Sequence, residues 1–246
     1  MFDVLSVAGL VALDDYLKTR VLLAFDFDGT LAPLTADRDR AFMTEATSRL
    51  FRSLCLRFPC AVVSGRARAD VLSRLDGAAV QYVVGNHGIE PSPEEAEFER
   101  WAQALHSEIG PALSGLQGVD IEDKRYSLSV HYLHAEDRRR AEEAILAVVR
   151  GREGVRVGAG KNVVNLVPSA APHKGDAILR LAQASRFERV VYVGDDETDE
   201  DVFRFAFPFP LLGVRVGQSN TSAASCYLSD QAHIDQLLAH CLKAAP

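Results

Sequence analysis

Short apolar runs alternate with helix-period patterns along this chain, and each apolar run stops at a polar or glycine-rich turn. The clearest runs are residues 21–26, 60–64, 82–85 and 190–194. Continuous runs of this length suit parallel strands covered on both faces. Strands interleaved with helical patterns predict an α/β fold, a Rossmann-like core around a mostly parallel sheet. Open sheets of that kind place ligands at the carboxyl ends of their strands, where the polar turns fall here. The middle of the chain has another rhythm. A helical stretch runs from about 93 to 116. Strand-like segments at 119–123 and 126–132 flank Lys124-Arg125. A charged helix follows from 135 to about 150, then strands at 155–158 and 163–167 around Gly160-Lys161. This order predicts an inserted α+β domain at 90–168, with the core built from 1–89 and 169–246. The N-terminal segment MFDVLSVAGLVALDDYL reads as an amphipathic helix packed on the core. It has no basic leader and carries Asp3, Asp14 and Asp15, unlike a secretory signal.

Composition narrows the function classes. The 246 residues are 48% apolar and 25% charged, ordinary values for a chain with a sizeable core. The formal charge of −7 argues against nucleic acid as the main partner, though not against one small anion in a locally positive pocket. No apolar run approaches the ~18 residues of a membrane span. The four cysteines, Cys55, Cys60, Cys226 and Cys241, have neither CxxC nor zinc spacing and read as reduced core thiols. The expectation is a cytoplasmic monomer with no membrane or nucleic-acid partner.

Four motifs carry candidate chemistry. Asp26-Phe27-Asp28-Gly29-Thr30 follows the first apolar run. Side chains at i and i+2 of an extended segment point the same way, so Asp26 and Asp28 can present paired carboxylates. Such a pair suits a hard cation, or a split of roles between nucleophile and proton carrier. Ser64-Gly65-Arg66 precedes a helical pattern at 67–75; Ser64 fits both a helix N-cap and a phosphate-binding hydroxyl. Lys174 opens the helical pattern at 176–182 and, beside carboxylates, could neutralise a transferring phosphoryl group. The run Gly194-Asp195-Asp196-Glu197-Thr198-Asp199-Glu200-Asp201 packs too many acids into one turn for helix-dipole preference alone. Asp195 is its first candidate metal ligand, with Asp196 and Asp199 behind it.

In this order the four motifs resemble the haloacid dehalogenase superfamily of phosphatases, and the insert resembles its type-IIB cap. Within it the sequence resembles the trehalose-6-phosphate phosphatase family over roughly residues 20 to 230. The carrying segments include Phe25 to Pro33, Val63-Ser64-Gly65-Arg66, Gly85-Asn86-His87-Gly88-Ile89-Glu90, Glu122-Asp123-Lys124 with Ser127, His131-Tyr132, Gly160-Lys161, Pro168, His173-Lys174-Gly175 and the acidic turn from Gly194 to Glu200. The resemblance implies that Asp26 attacks phosphorus to give an aspartyl-phosphate. It implies that Asp28 serves as acid, then base, and that Ser64 and Lys174 hold the phosphoryl oxygens. Mg²⁺ is then implied between Asp26, Asp28 through its backbone carbonyl, and Asp195. The implied substrate is a sugar phosphate, trehalose 6-phosphate first, with Arg66, Asn86, His87, Glu122, Lys124 and Asn165 as sugar-side candidates. A cap that opens and closes implies hinges near 88–92 and 167–172. Asn165 stands where the family usually has glutamate, and Leu133 where a basic residue is common. A phosphatase for another sugar phosphate, a sugar phosphomutase and a catalytically silent sensor are the competing readings.

Overall fold

The computed structural model describes residues 1–35, 37–160 and 162–245. Lys161 of the expected 160–161 turn therefore lies outside the described residues. The elements in chain order begin β1 (Phe2–Asp3), α1 (Val7–Leu17), β2 (Val21–Phe25), α2 (Glu45–Cys55), β3 (Cys60–Val63), α3 (Arg68–Arg74) and β4 (Tyr82–Val84). They continue with α4 (Glu95–Leu113), β5 (Asp120–Asp123), β6 (Leu128–His131), α5 (Arg138–Val149), β7 (Val155–Gly160) and β8 (Val163–Pro168). The last are α6 (Lys174–Ser185), β9 (Arg189–Gly194), α7 (Glu200–Phe203), β10 (Leu211–Val216), β11 (Cys226–Leu228) and α8 (Ile234–Lys243). The chain divides into two compact units, Met1–Gly88 with Pro172–Pro246, and Ile89–Ala171.

The first unit is a parallel sheet in the order β1-β11-β10-β9-β2-β3-β4. All five residues of β2 are buried, which explains its unbroken apolar run. Alternate side chains feed the two faces. Leu23, Phe25, Val191 and Val193 join one core cluster, and Leu22, Ala24, Val190 and Tyr192 the other. Each fully buried Leu or Val side chain contributes roughly 1.5–3 kcal/mol to such a core. α1 adds Leu13 and Leu17 to the first cluster and is capped by Ser6, whose hydroxyl accepts from the Gly9 amide at 3.1 Å. From β2 the chain moves outward through β3 and β4; from β9 it moves the other way through β10 and β11. The strand order thus reverses between β2 and β9, and Asp26 and Asp195 follow those two strands directly. That crevice is where parallel sheets bind ligands.

The sheet is wider than the four apolar runs implied. β10, Leu-Leu-Gly-Val-Arg-Val, is interrupted by Gly213 and Arg215, and β11 and β1 are only three and two residues long. The helix after Ser64 is also placed differently. α3 begins at Arg68 with Ala67 as its cap and no side-chain cap bond. Ser64 is not a helix N-cap; its Oγ accepts from the Arg66 amide at 3.2 Å in a local turn.

The second unit is an antiparallel sheet in the order β5-β6-β8-β7. α4 presents Ala102, Leu105, Ile109 and Leu113 at helical spacing, and α5 presents Ala141, Ile145 and Val149. Both pack with Leu128, Val130, Val164 and Leu166 in one cluster. The alternation in β8 leaves Val163, Asn165 and Val167 less covered than Val164, Leu166 and Pro168. Cross-strand register then sets Glu122, Ser129, Asn165 and Gly158 in one row. No helix of the described residues is long and apolar enough to cross a membrane. All four cysteines are free thiols.

Candidate active site

Asp26 leaves the end of β2 with its amide bonded to the Val193 carbonyl of β9 at 2.8 Å, so the two strand ends are tied together. The chain then turns sharply at Gly29, whose φ of +78° favours glycine. A Cβ at Gly29 would also run into the Asp195 carboxylate. Thr30 in that turn donates its hydroxyl to Asp195 Oδ1 at 3.2 Å. At Gly194 a Cβ would meet the Asp199 side chain, so glycine lets the acidic turn fold back on its own strand.

Lys174 sits at the first position of α6. His173 before it accepts from the Gly175 and Asp176 amides through Nδ1, and the Asp176 carboxylate accepts from the His173 amide at 3.0 Å. This capping box fixes where the helix starts and hence where Lys174 points. Its Nζ lies 2.8 Å from Asp199 Oδ1 and 3.1 Å from Asp26 Oδ1, with all three side chains buried. Burial opposes the ammonium, but the carboxylates of Asp199 and Asp26 outweigh it and hold Lys174 protonated.

Asp199 accepts at both oxygens. Lys174 at 2.8 Å and the Tyr192 hydroxyl at 2.6 Å share Oδ1, and the Asp195 and Asp196 amides take Oδ2 at 2.8 and 3.0 Å. A carboxylate offers about four such sites, so Asp199 is occupied as an organiser. Asp196 in turn accepts from the amide and hydroxyl of Thr198 and from the Asp199 amide. Desolvation pushes Asp196 up, but Lys174 and Thr198 outweigh it and bring it down to about 2.

Carboxylate oxygens of Asp26, Asp195 and Asp199 lie within 4.8 Å of one another. Burial pushes Asp195 up to about 7, reinforced by the charges of Asp199 and Asp196. Burial likewise raises Asp26 well above the ordinary carboxylate range, against the pull of Lys174. Among the described residues Asp26, Asp195, Asp196 and Asp199 gather around Lys174, and that excess of carboxylates with an all-oxygen donor set fits a hard divalent cation.

The structure brings Asp26, Lys174 and Asp195 together and sends the Asp28 carboxylate elsewhere. β2 ends at Phe25, so the extended i, i+2 geometry expected for Asp26 and Asp28 does not continue to Asp28. Asp28 is held in a bidentate pair by Arg66, Nε at 2.6 Å and Nη2 at 2.7 Å, and Arg66 Nη1 reaches Asp70 at 2.8 Å. Its carboxylate is therefore not part of the cluster that could hold a metal, which is formed by Asp26, Asp195 and Asp199. Ser64 is buried at the end of β3, with its amide on the Val84 carbonyl at 3.0 Å and its carbonyl accepting from the His87 amide at 2.9 Å. Asn86 and His87 both have positive φ, 47° and 57°. Asn86 is buried, and its Nδ2 has no hydrogen-bond partner among the described residues.

In the second unit Glu122 Oε2 lies 2.8 Å from His131 Nε2. Lys124 closes the β5–β6 hairpin through its amide on the Ser127 carbonyl at 2.9 Å. Asn165 Oδ1 accepts the Ser129 hydroxyl at 2.6 Å. Sequence reasoning missed Thr30, Asp70 and Tyr192. Tyr192 carried a signal: a phenol inside an otherwise apolar buried strand demands a partner.

The model of the trehalose-phosphatase family matches residues 24–232. The chain is 32% identical over 222 residues to a probable trehalose-phosphate phosphatase of Oryza sativa, covering 75% of this chain and 59% of the rice protein. It is 30% identical over 265 residues to the trehalose-phosphate phosphatase of Mycobacterium bovis, covering 99% of this chain and 67% of that one. It thus spans little more than half the length of the rice relative. Among solved structures it is similar to the C-terminal domain of the C. albicans trehalose-6-phosphate phosphatase, with a TM-score of 0.77 at 21% identity over 96% of this chain and 97% of that one. The chain belongs to the trehalose-phosphatase family.

Proposed function

We propose that the chain hydrolyses trehalose 6-phosphate to trehalose and inorganic phosphate through an aspartyl-phosphate on Asp26. The observation that carries this reading is the contact of Lys174 with both Asp26 and Asp199 at the β2/β9 switch point, in a chain of this family. Asp26 attacks phosphorus, and the bond from phosphorus to the sugar oxygen breaks. Asp28 gives that oxygen a proton. Asp28 then takes a proton from the water that attacks the aspartyl-phosphate, releasing phosphate and regenerating Asp26. To do either, Asp28 must loosen its pair with Arg66. Ser64 and Lys174 hold the phosphoryl oxygens, and Lys174 offsets charge in the transition state. Mg²⁺ is the cation this reading assigns to Asp26, Asp195 and the Asp28 backbone carbonyl, where it would supply further neutralisation of phosphoryl charge.

Sugar recognition is assigned to Asn86 and His87 in the first unit and Glu122, Lys124 and Asn165 in the second, with Arg66 contributing only while it is not engaged with Asp28. The unpartnered amide of buried Asn86 supports this, since a buried donor without a bond is costly unless a ligand completes it. Asn165 bears on which sugar is taken. Its oxygen already accepts from Ser129, so its remaining capacity is two amide donors and one acceptor lone pair, whereas a glutamate would bring only acceptors.

Phosphate release from a panel of sugar phosphates, with Mg²⁺ and with chelator, tests the proposal. Comparable release from many unrelated sugar phosphates would overturn the substrate. Full activity in Asp26→Asn would overturn the covalent route, and full activity in chelator would remove the cation. Asn165→Glu is expected to change KM more than kcat, because the role assigned to this side chain is to the sugar and not to the reacting phosphoryl group.

A further inference from the structure

Tyr192 lies at the centre of β9, on the face that joins the second core cluster, with its ring T-shaped against Phe203 at 5.8 Å between centroids. It is fully buried. A phenol there is costly unless its hydroxyl is bonded, and phenylalanine would pack the same face without that demand. The hydroxyl donates to Asp199 Oδ1 at 2.6 Å, the same oxygen that Lys174 Nζ reaches at 2.8 Å. Burial first, and the Asp199 charge second, keep the phenol protonated, so it acts as a donor.

The consequence concerns how Lys174 divides its charge. Its ammonium has three donors, of which one meets Asp199 and another faces Asp26. An Asp199 oxygen shared with no one else would draw the ammonium fully to itself. With Tyr192 already donating, that oxygen is partly satisfied, and Lys174 is balanced between Asp199 and Asp26. The same bond fixes the Asp199 torsion, so that Oδ2 stays on the Asp195 and Asp196 amides. One hydroxyl thereby sets both the lysine and the acidic turn.

We infer that Tyr192 is a positioning residue for the reaction, acting through Asp199 to hold Lys174 toward Asp26 and to keep the Asp195–Asp196 turn in its working shape. The inference rests on the phosphatase reading above. Its test is Tyr192→Phe, alone and combined with Asp199→Asn, on the full chain. For trehalose 6-phosphate at saturating Mg²⁺, kcat should fall about tenfold in Tyr192→Phe while KM stays within about twofold, the split expected when a group acts only in the transition state. In the Asp199→Asn background the same change should cost less than about twofold, because the oxygen it acts through is altered. In the metal-free protein the amide proton resonances of Asp195 and Asp196 should move upfield as their bonds to Asp199 loosen. A kcat within twofold of wild type, or full additivity with Asp199→Asn, or unmoved amide resonances would overturn the inference. So would a Tyr192→Phe chain that does not fold, since the hydroxyl would then serve stability. If the wild-type chain releases no phosphate from any sugar phosphate, the phosphatase reading fails, and the metal-free resonances alone decide the role of Tyr192.

Discussion

Asp195 is the most informative place to perturb the charge balance of the site. In the metal-free fold its carboxyl is pushed up to about 7, against 3.8 for an ordinary aspartate, by burial and by Asp199 and Asp196. The raised value means that the fold holds this proton more tightly than the unfolded chain does. Stability from this group is therefore lost as pH rises from about 4 through about 7, and the loss is complete above that. The gap of roughly three pH units, at ~1.4 kcal/mol each, sets a ceiling of about 4 kcal/mol. Partial solvent access and the coupled acids around it reduce the figure to about 2 kcal/mol. Asp195→Asn removes that penalty, and its amide oxygen can still accept from Thr30. In chelator at pH 8 the variant should melt about 4–8 °C above wild type, given ~2–4 °C per kcal/mol for a chain of this size. At pH 5 the gap should shrink to less than half. Adding Mg²⁺ to ~100 times its dissociation constant should raise wild type by ~2.7 kcal/mol and leave the variant nearly unmoved, reversing their order. Thermal melts at both pH values, with and without Mg²⁺, measure all of this. A variant less stable than wild type in chelator at pH 8, or a gap equal at pH 5 and pH 8, would refute the reasoning.

The apparent Mg²⁺ half-saturation for phosphate release should rise ~8-fold from pH 7.5 to pH 6, because one proton on Asp195 must leave before the cation binds; a flat profile would exclude Asp195 as a ligand. Lys174→Met leaves Asp26 and Asp199 buried without their cation, and should destabilise the chelated protein at pH 8 by ~3–5 kcal/mol and abolish turnover. An unchanged melt would show that the pair is not uncompensated. Gly29→Ala puts a Cβ at a φ of +78° against the Asp195 carboxylate, and should lose both Mg²⁺-dependent stabilisation and activity, checked by melts with and without the ion. Arg66→Lys cannot reproduce the bidentate hold on Asp28, and kcat/KM should fall ~10-fold or more. Wild-type rates in that variant would mean that Asp28 needs no such anchor.

What could be read in advance follows from the range of the interactions. β2, β3, β4 and β9 announce themselves because strands buried on both faces must be apolar throughout. β10 does not, because Gly213 and Arg215 break its run, and β11 and β1 are too short to show a period. The antiparallel sheet was legible through the strand-like segments on either side of Lys124-Arg125 and the two short runs at 155–158 and 163–167. At the site, Asp26, Lys174 and Asp195 stand out since each lies at the end of a strand or the first turn of a helix, positions marked by local sequence. The pairing of Asp28 with Arg66 is not local. It joins a loop after β2 to a loop after β3, and nothing local in the motif marks that the strand stops one residue before Asp26. Ser64 was open to a capping role because a serine before a helical pattern looks the same whether the helix starts at once or, as here, only at Arg68.

The separation of the two aspartates in that loop bears on the two opposed roles proposed for them. Asp26 is buried among acids, and its cationic neighbour Lys174 is shared with Asp199, so its negative charge is poorly compensated until a further cation arrives. An under-compensated carboxylate is a reactive one once it is ionised and desolvated. Asp28 is in the contrary situation, half-buried with both oxygens on a guanidinium that is itself shared with Asp70. Such a carboxylate is well satisfied and a poor nucleophile. It can exchange a proton only when the Arg66 pair opens, and Arg66 has Asp70 to retain it when that happens. Paired titratable groups with divergent surroundings are how a site assigns acid–base and nucleophilic work within one loop. Here the divergence is produced by the turn at Gly29 and by which cation each carboxylate meets, Lys174 from the start of α6 or Arg66 from the loop after β3.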